Sequence, residues 1–307
     1  MTHELTFRIP GSTSNLGPGF DSIGVAINLY LELTIVPSDK MEFIAGTPDL
    51  QTIIDQSDNL IRKTAEEVGA RYNRGELPSY VVKVSNDIPL ARGLGSSAAA
   101  IVSGIELANH AYDLQLSEWE KVQLATDMEG HPDNVVPSIV GGCVVAHYDG
   151  KEVSYQRLSI EPCRFIAMIP EQELKTSEAR SVLPREMSYS NAVAASSVAN
   201  VLVAAIATGN WALAGRMMEK DRFHQSYRKP LVPHFESLQQ WLESNGAFGT
   251  FLSGAGPTIL SLVDASTSMQ ILQRVQSAYP AFSCKVLQED QQGLEIMTVE
   301  NSNEMKS

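Results

Sequence analysis

Over residues 29–36 the chain alternates, with Leu31, Leu33 and Ile35 set against Glu32 and Thr34. Successive side chains of a strand point to opposite faces, so this period predicts a half-buried strand. Residues 6–10 read as an earlier strand, and residues 11–24 between the two are polar, glycine-rich and irregular in pattern. Residues 59–72 change period: Leu60, Ile61, Ala65, Val68 and Gly69 share one side of a helix, with Arg62, Lys63, Glu66 and Glu67 elsewhere. A short strand at 80–85 leads into a Pro- and Gly-containing loop at 87–97, then a small-residue helix at 98–112. A further helix at 118–129 is stopped by Gly130 and Pro132, and 141–147 is strand-like.

The second half opens near Glu152 and contains an apolar run at 165–169, helices at 235–244 and 268–278, and an extended stretch at 282–286. Residues 249–262 read as strand, tight Ser253-Gly-Ala-Gly-Pro257 turn, strand. Mixed strands and helices argue for an α+β protein rather than an all-α one. With 307 residues the chain exceeds the size at which single cores usually divide. A boundary near residue 155 is expected, giving units of 1–155 and 156–307. No internal repeat stands out, and the polar tail from Asn301 is expected to be disordered.

Residues 187–215 carry no charged side chain. Ser, Asn and Thr residues break the stretch, and its longest apolar run is 201–207, far short of the roughly 20 residues of a bilayer helix. It is expected to form a buried helix of a soluble protein.

Charge narrows the function. Lys plus Arg number 23 against 36 Asp plus Glu, a formal net charge of −13. That field repels nucleic acid and anionic lipid, and no basic patch stands out to override it. A phosphate-bearing ligand therefore has to be met locally, by backbone N–H groups, a helix N-terminus, a few placed cations or a carboxylate-held metal. Cys143, Cys163 and Cys284 are odd in number and lack C-x-x-C spacing, so neither a disulfide framework nor a zinc site is indicated. The opening residues, which include His3 and Glu4, do not resemble a secretory leader, and a cytoplasmic location is expected.

The segment Pro89-Leu-Ala-Arg-Gly-Leu-Gly-Ser-Ser-Ala98 is the most informative. Gly93 and Gly95 permit close backbone approach, while Ser96 and Ser97 stand where a helix begins, so free N–H groups converge on a spot suited to an anion. A Walker loop would place Lys after its last Gly, and none follows Gly95. A dinucleotide fingerprint would leave its strand directly, whereas the Pro-containing segment 86–92 intervenes here. A structural loop with a capped helix remains open on these residues alone.

Three other segments accompany the loop: Ser12-Thr-Ser-Asn-Leu-Gly-Pro-Gly-Phe-Asp-Ser22, Glu129-Gly-His-Pro-Asp-Asn134 and Phe251-Leu-Ser-Gly-Ala-Gly-Pro-Thr258. In this order, across nearly the whole chain, they resemble the GHMP kinase superfamily, and Asn15-Leu-Gly-Pro-Gly-Phe-Asp21 resembles its homoserine-phosphorylating branch. The resemblance implies an N-terminal domain like ribosomal protein S5 domain 2 and a ferredoxin-like C-terminal domain, with ATP and substrate in the cleft between them. It implies transfer of a phosphoryl group from ATP to L-homoserine on the route to threonine, with Mg2+, in a homodimer. Within the same superfamily, a mevalonate- or sugar-type kinase is the alternative, and a non-catalytic ligand sensor on the same fold is a third reading.

Roles carried over by the resemblance are these. Pro89, Leu90, Ala91 and Arg92 lead into the nucleotide site, and Gly93, Leu94, Gly95, Ser96, Ser97, Ala98 and Ala99 wrap the triphosphate. Asn59 lies by the adenine, its alternative being a helix N-cap, and Lys83 reaches the nucleotide or faces water. Ser97 and Glu129 hold the metal. Asn15, Asp21, His131, Asn134, Arg180 and Arg228 bind the amino acid, the two arginines taking its carboxylate in bidentate fashion. Asp21, Asp133 and Asn134 stand at the reacting hydroxyl, with Asp133 the candidate base and direct attack by a positioned hydroxyl the alternative.

Overall fold

The computed structural model describes residues 4–54 and 59–299; the tail from Asn301 lies outside them. Six strands open the chain: β1 (Glu4–Asn15), β2 (Gly19–Pro37), β3 (Glu42–Ala45), β4 (Tyr80–Asn86), β5 (Cys143–Tyr148) and β6 (Val153–Leu158). Four more, β7 (Cys163–Pro170), β8 (Gly249–Leu252), β9 (Ile259–Asp264) and β10 (Phe282–Leu287), build a second sheet, and β11 (Glu295–Val299) closes the described chain. The first sheet runs β11-β1-β2-β4-β3, with β5 pairing both β2 and β6. The second is antiparallel in the order β10-β7-β9-β8, the strand arrangement of a ferredoxin-like domain.

The helices are α1 (Gln51–Ile54), α2 (Leu60–Arg71), α3 (Ser96–Ala111), α4 (Glu118–Glu129), α5 (Pro132–Val140), α6 (Thr176–Ser181), α7 (Tyr189–Ala207), α8 (Trp211–Met218), α9 (Gln225–Arg228), α10 (Phe235–Ser244) and α11 (Ser268–Ala278). The alternation in β2 does what it predicts: Leu31, Leu33 and Ile35 are buried, with Glu32 and Thr34 between them. β7 alternates between two cores. Phe165, Ala167 and Ile169 join the large core, which also takes in β1, β2, α3 and parts of α7 and α8; Ile166 and Met168 join a smaller one with α10 and α11. The ferredoxin-like sheet is thus packed on both faces, and the larger core runs unbroken from one domain into the other.

Three expectations need correction. Residues 11–24 are not irregular: β1 and β2 form one long hairpin through them, with register shifts at Pro10/Gly11 and Ser14/Asn15 and a tight turn at Asn15, Leu16 and Gly17, all with positive φ. The polar side chains that hid the strand, Ser12, Thr13 and Ser14, are buried at the cleft. The uncharged stretch 187–215 is two helices, broken at Gly209 and restarted by Asn210, whose side chain accepts from Leu213 N–H at 3.2 Å. Nor is α7 largely buried: of its residues only Ala195, Leu202, Ala205 and Ile206 are. Residue 155 lies within β6, and β11 pairs with β1 of the first sheet.

Candidate active site

α3 begins at Ser96 behind Gly95, which has φ +77° and no side chain to cap the helix. The first backbone N–H groups are therefore left for an incoming anion, and the helix dipole favours one there. A Cβ on residue 95 would fall 2.3 Å from Ser12 Oγ, so glycine is required by contact as well as by φ. The loop is pinned from both domains. Ser12 N–H donates to Leu94 O at 3.1 Å, and Ser253 Oγ lies 2.5 Å from Gly93 O and 2.8 Å from Thr13 Oγ1. The Ser253-Gly-Ala-Gly-Pro257 turn thus serves as the clamp of the phosphate loop, a role the sequence does not reveal.

Beside the loop, Asn134 joins the hairpin to α5: it accepts from Ser12 Oγ at 3.0 Å and donates to Ser14 Oγ at 3.0 Å. His131 Nδ1 is 2.6 Å from Asp133 Oδ1, and Asp133 is 2% exposed. Burial depresses the His131 pKa, but its hydrogen bond to Asp133 and the surrounding carboxylates together hold it above the ordinary value. Asn15 donates to Gly254 O at 2.9 Å and accepts Asp21 N–H at 3.0 Å. Asp21 in turn receives both terminal nitrogens of Arg180, at 3.1 and 2.9 Å.

Arg228 is the largest fully buried side chain among the described residues, held by Ala179 O and Gly254 O, each at 3.1 Å. Burial pushes its pKa down to about 10, Arg180 adding to the effect, and it stays charged at neutral pH. Phe20 lies 5.6 Å from the Arg180 guanidinium and 5.3 Å from that of Arg228, giving both cations an aromatic neighbour.

A cavity of about 430 Å³ gathers these groups. Asn15, Asp21, Leu90, Ala91, Gly93, Gly95, Ser96, Ser97, Ala98, Glu129, His131, Asp133, Asn134, Arg180 and Arg228 line it. A second opening shares Asp21, Ser97, Glu129, His131 and Arg180. Other expected residues lie elsewhere. Asn59 caps α2, accepting from Arg62 N–H at 3.2 Å and donating to Ile54 O at 3.2 Å, with its neighbour Leu60 on the cavity wall. Lys83 is exposed on β4, and Leu94 and Ala99 are buried under the loop. Arg92 turns away to Pro170 O, Leu90 O and Glu171 O at 3.0, 2.7 and 2.6 Å, and lines a separate small cavity with Pro89. Leu174, Lys175 and Thr176 complete the wall from the second domain without any motif to mark them.

The donor set fits a magnesium ion. Glu129 is largely buried, with His131 Nε2 at 4.0 Å and the Arg180 guanidinium also acting on it. Burial raises its pKa, Asp133 adds to the rise, and together they outweigh the opposing charges of His131 and Arg180. Ser97 shares both openings with it and offers a hydroxyl, and Mg2+ takes such oxygen ligands while keeping several waters.

Family models described as GHMP kinases N terminal domain and GHMP kinases C terminal match residues 59–142 and 202–281. The two-domain fold with its phosphate loop at the cleft is that of a GHMP kinase. A homoserine kinase of Bacillus velezensis is 48% identical over 279 residues, 90% of each chain, and one of Enterococcus faecalis is 43% identical over 292 residues, 95% of this chain and 100% of the relative. The crystal structure of homoserine kinase from Cytophaga hutchinsonii matches with a TM-score of 0.83 at 26% identity, covering 96% of this chain and 97% of that one. The chain belongs to the homoserine kinase family.

Proposed function

We propose that this protein transfers the γ-phosphoryl group of ATP to the side-chain hydroxyl of L-homoserine, giving ADP and O-phospho-L-homoserine in threonine biosynthesis. One observation carries the reading: Arg180, Arg228 and Asp21 line the same cavity as the phosphate loop. A zwitterion needs a carboxylate receptor and an ammonium receptor, and this wall has both. Mevalonate offers no ammonium to Asp21, and a neutral sugar would leave the arginines without an anion.

The division of labour follows from the side chains. Backbone N–H groups of Gly95 to Ala98 take the anionic phosphate oxygens; Arg180 and Arg228 take the substrate carboxylate, Asp21 its ammonium. Asn134, locked by Ser12 and Ser14, aims at the hydroxyl. Phosphoryl transfer asks mainly for such in-line placement and for charge neutralisation. Ser97 and Glu129 would hold Mg2+, which supplies positive charge to the phosphate oxygens when bound. Asp133 is committed through Oδ1 to His131 and, at 3.3 Å, to Asn134, which favours a structural part over that of a base.

We assign the nucleotide to the unit spanning residues 1–155 and much of the substrate wall to the remainder. The working form is a cytoplasmic homodimer. α7 supports this, since Tyr189, Val193 and Val201 are 87%, 53% and 39% exposed on an uncharged helix. Ser190, Asn191, Ser196, Ser197 and Asn200 are exposed beside them and suit a protein partner better than lipid.

A coupled ADP-release assay with L-homoserine, L-serine, L-threonine and mevalonate tests the proposal. L-Homoserine should give the highest kcat/KM, with release dependent on Mg2+. A higher value for mevalonate overturns the substrate, and ATP binding without ADP release from any alcohol overturns catalysis.

A further inference from the structure

His224 is fully buried at the start of α9, one turn before Arg228, and does not line the cavity. Asp221 fixes its backbone by accepting the N–H groups of Phe223, His224 and Gln225 at 2.8, 2.9 and 2.6 Å. The ring is fixed separately. Nε2 lies 2.9 Å from the carbonyl oxygen of Gly17. A carbonyl can only accept, so Nε2 carries the proton and Nδ1 is a bare acceptor. Arg228 Nη1 donates to that Nδ1 at 3.2 Å. Gly17 cannot retreat: it has φ +82°, and a Cβ there would fall 2.0 Å from Met218 O. Phe20 covers the imidazole face, with centroids 5.3 Å apart and planes at 24°.

The donor count around Arg228 gives this arrangement a direction. Nε donates to Ala179 O, and Nη1 donates to Gly254 O and to His224, which uses three of the five guanidinium N–H groups. Nη2 has no partner among the described residues, and Arg228 lines the cavity. We propose that His224 is a positioning residue for the phosphorylation: its neutral Nδ1, held in register by the Gly17 carbonyl, turns the Arg228 guanidinium so that its Nη2 edge meets the substrate carboxylate. The inference rests on the reading that Arg228 receives that carboxylate. Burial holds the His224 pKa at about 4, Asp221 opposing and Arg228 reinforcing, so the acceptor is uncharged at neutral pH. A protonated ring would set a donor and a like charge against the guanidinium.

His224→Phe keeps an aromatic ring against Phe20 and withdraws the acceptor. Losing a hydrogen bond to a charged group should raise the KM for L-homoserine about tenfold or more. The KM for ATP and kcat should stay within about threefold. 3-Aminopropan-1-ol, which lacks only the carboxylate, should be phosphorylated equally slowly by both proteins. His224→Asn, whose amide oxygen can stand in for Nδ1, should recover the homoserine KM, and His224→Phe should add nothing to Arg228→Ala. If the Phe variant does not fold, His224→Gln, which keeps a donor for Gly17 without an acceptor at Nδ1, is measured in its place with the same expectation. An unchanged homoserine KM in Arg228→Ala overturns the substrate-site reading. A raised KM in Arg228→Ala with none in the His224 variants, or equal losses on both alcohols, overturns the positioning role alone.

Discussion

Arg180 reaches from α6 to Asp21 on β2 and pairs with both carboxylate oxygens, Nη1 to Oδ2 at 3.1 Å and Nη2 to Oδ1 at 2.9 Å. Guanidinium and carboxylate match edge to edge, the geometry that Arg offers and Lys does not. Asp21 has φ +53°, and its N–H is fixed by Asn15 Oδ1, so the carboxylate is aimed from the backbone. Burial alone would lower the Arg180 pKa, but the pair with Asp21 outweighs it and raises the value. Each partner is the complement of one end of an α-amino acid. In the proposed site the substrate carboxylate competes with Asp21 for Arg180, and its ammonium competes with Arg180 for Asp21. One internal pair gives way to two intermolecular ones.

Asp21→Asn removes the ammonium receptor and releases Arg180. The kcat/KM for L-homoserine should fall about 100-fold or more, as expected for a lost charge-assisted contact in a partly desolvated site. Steady-state assays with 4-hydroxybutyrate, homoserine without its amino group, provide the control. That compound should lose far less, because it never engages Asp21. Equal losses on both compounds would rule out the ammonium contact.

Asp133→Asn separates a base from a buttress. A general base contributes about 10² to 10⁴ in rate. Asp133 is instead hydrogen-bonded to His131 and Asn134, and its carboxyl is shielded from solvent. We expect kcat to stay within about tenfold of the wild-type value in an ADP-release assay. A drop beyond about 100-fold, with the fold intact by circular dichroism, would restore Asp133 as the base.

Glu129→Gln should raise the Mg2+ concentration for half-maximal rate about tenfold or more, since a neutral amide is a poorer ligand than a carboxylate. The pH dependence has a definite sign. Burial holds the Glu129 carboxyl above its usual pKa, so acidification protonates it sooner than an exposed Glu, and a protonated carboxyl does not ligate. In the wild type the Mg2+ requirement should therefore climb as pH falls towards the carboxylate range. In the Gln variant that climb should be largely lost. Titrating Mg2+ at several pH values checks both, and an identical climb in the two proteins would take Glu129 out of the metal site.

The fold was legible where burial follows period, as in β2 and α2, and illegible where chemistry inverts it. Ser12, Thr13 and Ser14 are polar and wholly buried because they pin the phosphate loop and Asn134. A binary pattern therefore placed a loop where a hairpin stands. α5 is not legible in the pattern because Pro132 reads as a stop, although proline also suits the first turn of a helix, and Pro137 lies inside it. Of the site, Asn15, Asp21, Gly93, Gly95, Ser96, Ser97, Glu129, His131, Asp133 and Asn134 converge on one cavity with Arg180 and Arg228, whereas Asn59, Pro89, Leu94 and Ala99 lie beside it. Arg92 and Lys83 do not line it, because sequence proximity to the loop says nothing of which way a long side chain turns. His224 carries no signal in the sequence beyond standing four residues before Arg228, and its contact with Gly17 spans more than two hundred residues of the chain.

α7 offers the last test. Its exposed apolar residues Tyr189, Val193 and Val201 belong to a helix with no charge anywhere along it, on a molecule whose net charge is −13. A solvated helix usually carries charged residues on its outer face, and α7 carries none, as the proposed dimer requires. If a second copy covers it, Val193→Glu with Val201→Glu sets like charges and unpaired carboxylates into that seam, a strongly unfavourable burial. Analytical ultracentrifugation should show a dimer for the wild type and a monomer for the double variant. Neither residue lines the cavity, so the monomer should retain ADP release with L-homoserine unless pairing itself supports the site. A variant that remains dimeric would move the seam elsewhere on the surface.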